Sequence, residues 1–366
     1  MTSLGRLWLT DFRCYEHVEL TLDAGCTVVT GSNGQGKTSL LEAVAWLSTG
    51  RSLRGVPDRV LVRTGAEEAI VRAEIAHEDH DVLIEAAIRT QGRNRILANK
   101  QTVTRRRDLA EHLRVTVFAP DDLALVKGAP SGRRDFVDDL LVAAAPRLAG
   151  VITDYERVVK QRNALLRAGI RNAEDRTTRD VLDARLVAAG AALIDARLEL
   201  IERLAPAVRD AYASLAGDAP GFDTAYEAEW SAHPLARGAV DTAMLDALTR
   251  LARREEDRGV TLVGPHRDDW TFVLDGMDAR HHASQGEQRT LALGLRLAGH
   301  RVVADTIGTE PLLLLDDVFS ELDAHRAAAL VAHLPATQTL VTTAGALPEG
   351  IAAAAWLRIE GGRVVG

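Results

Sequence analysis

Residues Gly31-Ser32-Asn33-Gly34-Gln35-Gly36-Lys37-Thr38 fit the pattern G-x-x-x-x-G-K-[ST] at every fixed position. The chemistry of a bound phosphate demands these types. Glycines let the backbone wrap closely, so that several N–H groups point at phosphate oxygens. A helix starting at the end of the loop adds its positive dipole end. Lys37 would reach the β- and γ-phosphates of ATP. The Thr38 hydroxyl would ligate Mg²⁺, a cation that prefers hard oxygen.

A phosphate loop needs a carboxylate at the end of a buried strand. Leu312-Leu313-Leu314-Leu315-Asp316-Asp317 supplies it. Asp316 would hold Mg²⁺, and Asp317 would act as general base on the attacking water. Ser320-Glu321-Leu322-Asp323 follows, and Ser284-Gln285-Gly286-Glu287 lies upstream before a helix-like run. The order resembles that of ABC ATPases: phosphate loop, signature (Ser284 to Glu287), acidic strand, then a loop bearing Ser320 and Asp323. In that class the signature caps the γ-phosphate held by a second subunit, as a helix N-terminus can.

The elements that must position these groups are legible in outline. Residues 4–9, 18–22 and 26–30 read as strands between turn formers, and 38–47 as a helix with Leu40, Leu41, Val44 and Leu47 on one face. Residues 69–76 and 81–89 read as a strand pair. From about 131 the strand pattern gives way to two apolar series at three- and four-residue steps, one from Phe136 to Leu165 and one from Leu182 to Leu204. Pro146 and Pro206 are expected to bend or restart helices. Alternation of strand and helix returns after 260. The expected organisation is a head formed by 1–130 and 260–366, with a helical lobe, 131–259, inserted between.

Composition narrows the classes. The 366 residues carry a net charge of −8, against a surface that is basic throughout, yet a local basic face remains open. Cys14 and Cys26 make neither a disulfide framework nor a metal set. No apolar run approaches a membrane span, and the first twenty residues lack a signal-peptide core, so a cytoplasmic protein is expected. Basic clusters occur at Arg93, Arg95 and Lys100, at Arg105-Arg106-Arg107, at Arg133-Arg134 and at Arg253-Arg254. With few aromatic residues and no helix-turn-helix or zinc pattern, such clusters would contact phosphates rather than read bases.

Further segments carry a closer resemblance. Residues 9–15 (Leu-Thr-Asp-Phe-Arg-Cys-Tyr), the phosphate loop with Leu41-Glu42-Ala43, residues 118–123 with Lys127-Gly128, Pro130 and Arg133-Arg134, then 264–269 (Gly-Pro-His-Arg-Asp-Asp) and 284–291 are similar to the RecF family. That family belongs to the group of SMC and Rad50 ATPase heads. The resemblance implies an α/β ABC-type head with a mixed sheet and a short helical lobe. It implies ATP-dependent homodimerisation on single-stranded or gapped DNA, and work with RecO and RecR in loading RecA at gaps and stalled forks, with the SOS response following. It also implies nucleotide contact by Arg13 and a switch role for Thr343, where many ABC heads have histidine. Asp317 stands where many have glutamate, so a weak, DNA-stimulated ATPase is expected. Among the basic clusters, Arg105, Arg106 and Arg107 are the first candidates for DNA. The main alternative is an ATPase subunit of another complex; a transporter subunit is disfavoured by the helical lobe between the motifs, and a nuclease by the lack of a carboxylate cluster.

Overall fold

The computed structural model describes residues 2–78, 80–217 and 221–365, without the side chain of Arg107. In chain order its elements begin with β1 (Ser3–Phe12), β2 (Tyr15–Thr21), β3 (Cys26–Thr30) and α1 (Lys37–Thr49). Next come β4 (Glu68–Ala76), β5 (Asp81–Arg89), β6 (Arg95–Ala98), β7 (Gln101–Thr102) and β8 (Val115–Phe118). The helices α2 (Leu123–Lys127), α3 (Pro130–Ala144), α4 (Leu148–Ala168) and α5 (Ala173–Ala216) follow. After them lie β9 (Phe222–Glu227), α6 (Val240–Arg258), β10 (Asp269–Leu274), β11 (Met277–Asp278), α7 (Ala279–His282) and α8 (Gln285–Ile307). The chain closes with β12 (Leu312–Asp316), α9 (Ala324–His333), β13 (Thr339–Thr343), β14 (Ala353–Glu360) and β15 (Arg363–Val364).

Two compact units result. The first holds residues 1–122, 214–217 and 293–366, and the second holds 123–213 and 218–292. In the first unit, β2-β1-β4-β5-β6-β7 form an antiparallel sheet. A second sheet has the order β15-β14-β3-β13-β12-β8, parallel except at β15. Helix α1 packs against β4 of one sheet and β8, β12 and β13 of the other. Its Leu40, Leu41, Val44, Trp46 and Leu47 are fully buried there, which is why the sequence keeps that stretch almost wholly apolar. The four leucines of β12 are buried on both faces, as a central parallel strand requires.

The second unit departs from a purely helical lobe. Strand β9 lies within 131–259 and pairs antiparallel with β10, Phe222 opposite Leu274 and Glu227 opposite Asp269. The partner strand is far along the chain, so a local pattern could not announce the pairing. This pairing also draws residues 260–292 into the second unit. Pro146 does fall at a break, between α3 and α4, but Pro206 lies inside the continuous helix α5. Among the described residues, no helix is long and apolar enough to cross a membrane.

Candidate functional site

The phosphate loop joins the C-terminal end of β3 to α1. Its shape is set by contacts a side chain would destroy. Gly36 has φ +118°, and a Cβ there would lie 2.7 Å from Cys14 Sγ. Tyr15, fully buried, donates its hydroxyl to Gly36 O at 2.9 Å. Gly31 passes so close to β14 that a Cβ would come within 2.4 Å of Ile359 O. Gln35 is held from the other side: its Oε1 accepts from Gly361 N at 2.6 Å and its carbonyl from Gly362 N at 3.1 Å. Ser32, Asn33 and Gly34 complete the turn. Lys37 is buried and donates to Gly31 O at 2.6 Å and Ser32 O at 3.1 Å, so its ammonium sits inside the loop it would serve.

Strands β3, β13 and β12 run side by side, and their C-terminal ends bring the acids to this loop. Thr38 Oγ1 donates to Asp316 Oδ1 at 2.9 Å. Thr342 Oγ1 donates to the same oxygen at 2.7 Å and accepts from Asp317 N at 3.0 Å. Asp317 takes a left-handed conformation, φ 50°. Its Oδ1 is buried with no hydrogen-bond partner. An orphaned carboxylate oxygen is costly unless something fills the place. Thr343 lies opposite Thr30, the residue before Gly31, and its hydroxyl exchanges hydrogen bonds with Gly345. Ser320 donates to Asp317 O at 2.8 Å, and Asp323 caps α9 through Arg326 N at 2.8 Å.

This donor set fits Mg²⁺. Thr38 and Asp316 offer hard oxygens within hydrogen-bond distance of each other, and the orphaned oxygen of Asp317 lies on the next residue. Among the described residues there is no group of three or more His, Cys, Asp or Glu suited to a metal ion. A cation completed by water and substrate phosphates is the usual habit of Mg²⁺.

Arg13 also has a defined place. Its φ is 54°, and its guanidinium forms a two-point pair with the fully buried Glu42 of α1, at 2.8 and 2.9 Å. Ser52 supports the same carboxylate at 2.5 Å. A surface arginine at a sheet edge is thereby excluded. Sequence reasoning missed the roles of Glu42 and Thr342. The paired threonines ending β13 were a usable sign, whereas a buried glutamate in an apolar helix shows its purpose only beside Arg13.

In the second unit, Ser284 and Glu287 form a reciprocal cap at the start of α8: Ser284 N donates to Glu287 Oε2 at 2.7 Å, and Glu287 N to Ser284 Oγ at 3.3 Å. Ser284 and Gln285 are exposed, and Gly286 is half-buried. Other sequence candidates resolve differently. Arg133 is buried and pairs at two points with Asp269, both at 2.7 Å, while Arg134 donates to Asp268 O at 2.7 Å. That arginine pair holds the second unit together and is not a free basic face. His266 bonds Tyr155 through Nδ1 at 2.6 Å and Thr261 O through Nε2 at 3.1 Å. Burial keeps it neutral, with its pKa lowered to about 4, so both nitrogens serve structure. Arg105 is exposed, Arg106 is engaged internally, and the side chain of Arg107 lies outside the described residues.

A phosphate loop and an acidic strand end on these sheets, with the capped helix start of the second unit, define an ABC-type ATPase head, and the family described as RecF/RecN/SMC N terminal domain matches residues 3–346. The Smc head of Pyrococcus furiosus shares the fold, with a TM-score of 0.57 at 16% identity over 100% of this chain and 96% of that one. Within this class the chain belongs to the RecF family. It is 46% identical to the DNA replication and repair protein RecF of Frankia alni, covering 93% of each chain. It is 42% identical to that of Beutenbergia cavernae, covering 98% of each. A solved structure of the recombination mediator RecF with ATP, in the RecFOR pathway, superposes with a TM-score of 0.92 at 26% identity, over 100% of this chain and 97% of that one.

Proposed function

We propose that the chain is an ATP-gated clamp on single-stranded or gapped DNA, acting in the cytoplasm in recombinational repair. The observation that carries this reading is the junction of Thr38, Asp316, Thr342 and the unpartnered Asp317 oxygen beside a complete phosphate loop. It is supported by near full-length similarity to RecF proteins and by a RecF–ATP structure of the same fold. In this reading Lys37 and the N–H groups of residues 31–38 bind the triphosphate of ATP. Thr38 and Asp316 would hold Mg²⁺, which would supply positive charge to the phosphate oxygens. Asp317 accepts a proton from the attacking water, its shorter side chain favouring slow turnover. Arg13, whose charge Glu42 already pairs, would contact the nucleotide from that fixed position. Ser320, Asp323 and Thr343 bracket the acidic strand end as contact and switch residues.

The signature residues Ser284 and Gln285, exposed, with the half-buried Gly286 and Glu287, give the reading its second half. Their helix start would meet the γ-phosphate held by another copy, so ATP would join two chains. RecO and RecR, and through them RecA, are the partners this family membership favours. Light scattering with no nucleotide, with ADP, and with ATP and Mg²⁺ tests the clamp. A dimer is expected only with ATP, and it is expected to vanish in Ser284→Arg. A monomer under every condition would overturn the clamp.

A further inference from the structure

We propose that a cleft in the first unit, lined by residues 57–59, 89–90, 92–94, 96, 103–104 and 106, grips the phosphodiester backbone of DNA through Arg59 and Arg93. The proposal rests on the reading of the chain as a DNA-binding ATPase. The cleft has a volume of about 430 Å³. Its floor is hydrogen-bonded and already neutralised. Asp58 accepts from Asn94 Nδ2 at 2.7 Å, from Arg106 Nη2 at 2.5 Å and from Trp46 Nε1 at 3.3 Å. Arg106 also donates to Gly50 O, the C-terminal cap of α1, at 2.5 Å. Asn94 Oδ1 accepts from Arg89 N at 3.0 Å, which fixes the turn after β5. Arg106 is therefore a girder of this wall and not its reader.

The charge left over belongs to Arg59 and Arg93. Both are exposed and line the cleft, and neither has a hydrogen-bond or ion-pair partner among the described residues. Asp58, the acid among the described lining residues, is already matched by Arg106, and Arg89, also in the lining, pairs with Glu68. Two uncompensated guanidiniums on a chain of net charge −8 mark a local anion site. No aromatic residue lines the cleft, so base stacking has no platform and the contact is to phosphate.

The cleft is also wired to the nucleotide loop. Arg59 lies in a short turn, Asp58–Leu61. The next two carbonyls of that turn, Val60 O and Leu61 O, accept from Arg13 Nη1 at 3.1 Å and Arg13 N at 2.7 Å. Arg13 is in turn fixed on Glu42 of α1, and Trp46 of the same helix reaches Asp58. A shift of α1 or Arg13 on ATP binding would therefore be felt at Arg59.

The experiment is the salt dependence of gapped-duplex binding with ATP and Mg²⁺, followed by fluorescence anisotropy. The chains are wild type, Arg59→Gln, Arg93→Gln, the double variant, and Arg95→Gln on neighbouring β6. Each cleft variant is expected to lower the slope of log affinity against log salt by about 0.9, and the double variant by about twice that, with about 10-fold weaker binding at 0.1 M salt. Arg95→Gln is expected to keep the wild-type slope, and ATP affinity is expected to be retained throughout. An unchanged slope in the double variant, or an equal loss in Arg95→Gln, overturns the cleft while the ATPase clamp stands. Displacement of DNA by millimolar inorganic phosphate at constant ionic strength would make this a small-anion site and also overturns it. A wild type that never binds DNA sinks both readings.

Discussion

A buried ion-pair network in the second unit and the phosphate-loop site in the first use buried polar groups in opposite ways. In the second unit Arg162, Arg197 and Asp268 each carry several partners. Arg162, 2% exposed, bonds Asp183 at 2.6 Å, Glu255 at 2.7 Å and Thr261 at 3.1 Å. Arg197 spans Asp138 at 2.8 Å twice and reaches Pro265 O at 2.8 Å. Asp268, fully buried, accepts from Tyr226 at 2.7 Å and Trp230 at 2.5 Å. At the phosphate loop of the first unit Thr38 and Thr342 meet on Asp316, and Asp317 Oδ1 on the next residue is buried without a partner. Saturated charges specify packing, since breaking one strands its partners. At the phosphate loop the polar groups instead gather at one strand end, on Asp316 and Asp317.

Variants can break this contrast. The largest effect is expected at Lys37. Lys37→Ala should weaken ATP binding by about 100-fold or more, since charge-assisted donors to phosphate are lost. Asp317→Asn should keep the affinity and abolish phosphate release in a single turnover. Titration with a fluorescent ATP analogue and a phosphate sensor read the two arms. Equal losses of affinity in both would mean that Asp317 serves binding, and the contrast drawn from its free oxygen would fail.

Next in size is Arg162→Met. It leaves Glu255 buried without its cation and should cost about 3–5 kcal/mol in urea denaturation. The double variant Arg162→Met with Glu255→Met should recover most of that loss. ATP affinity of the folded protein should not move in either. A loss that the second substitution deepens would show that the pair stabilises the unit beyond cancelling its own burial.

A smaller effect, opposite in sign at two neighbours, is expected from pH. Burial lowers the pKa of His266 to about 4 and raises that of Asp268 to about 6. His266 favours the folded state above its unfolded pKa, and that contribution is lost as the pH falls toward 4. Asp268 behaves in reverse: its contribution is full below the unfolded carboxylate pKa and is lost as the pH rises through 6. The stability gap between wild type and His266→Gln should therefore narrow as pH drops from 7 to 4. The gap to Asp268→Asn should narrow as pH rises from 4 to 7. Denaturation midpoints at several pH values measure both, with changes on the order of a few kcal/mol at most. Gaps that move together would mean the two groups do not titrate as their burial requires.

Much of the site was legible because it is local. The spacing from Gly31 to Thr38 depends only on backbone conformations that glycine permits and on a helix that must follow. The leucine run ending at Asp316 reads as a buried parallel strand because no other element tolerates four apolar residues and then two acids so readily. Ser284 and Glu287 stand three apart, the interval of a helix cap. These features follow from the sequence by itself, as do the α/β class and the RecF resemblance.

Tertiary structure decided what depends on distant partners. It paired β9 with β10, set Glu42 under Arg13, and placed Thr342 between Asp316 and the backbone of Asp317. It also sorted the arginines, which look alike as a string. Arg133 and Arg106 are spent on Asp269 and Asp58, whereas Arg59 and Arg93 remain open to solvent. A guanidinium binds whatever carboxylate or phosphate the fold brings within about 3 Å. Its meaning is therefore a property of neighbours far along the chain, which no local pattern contains.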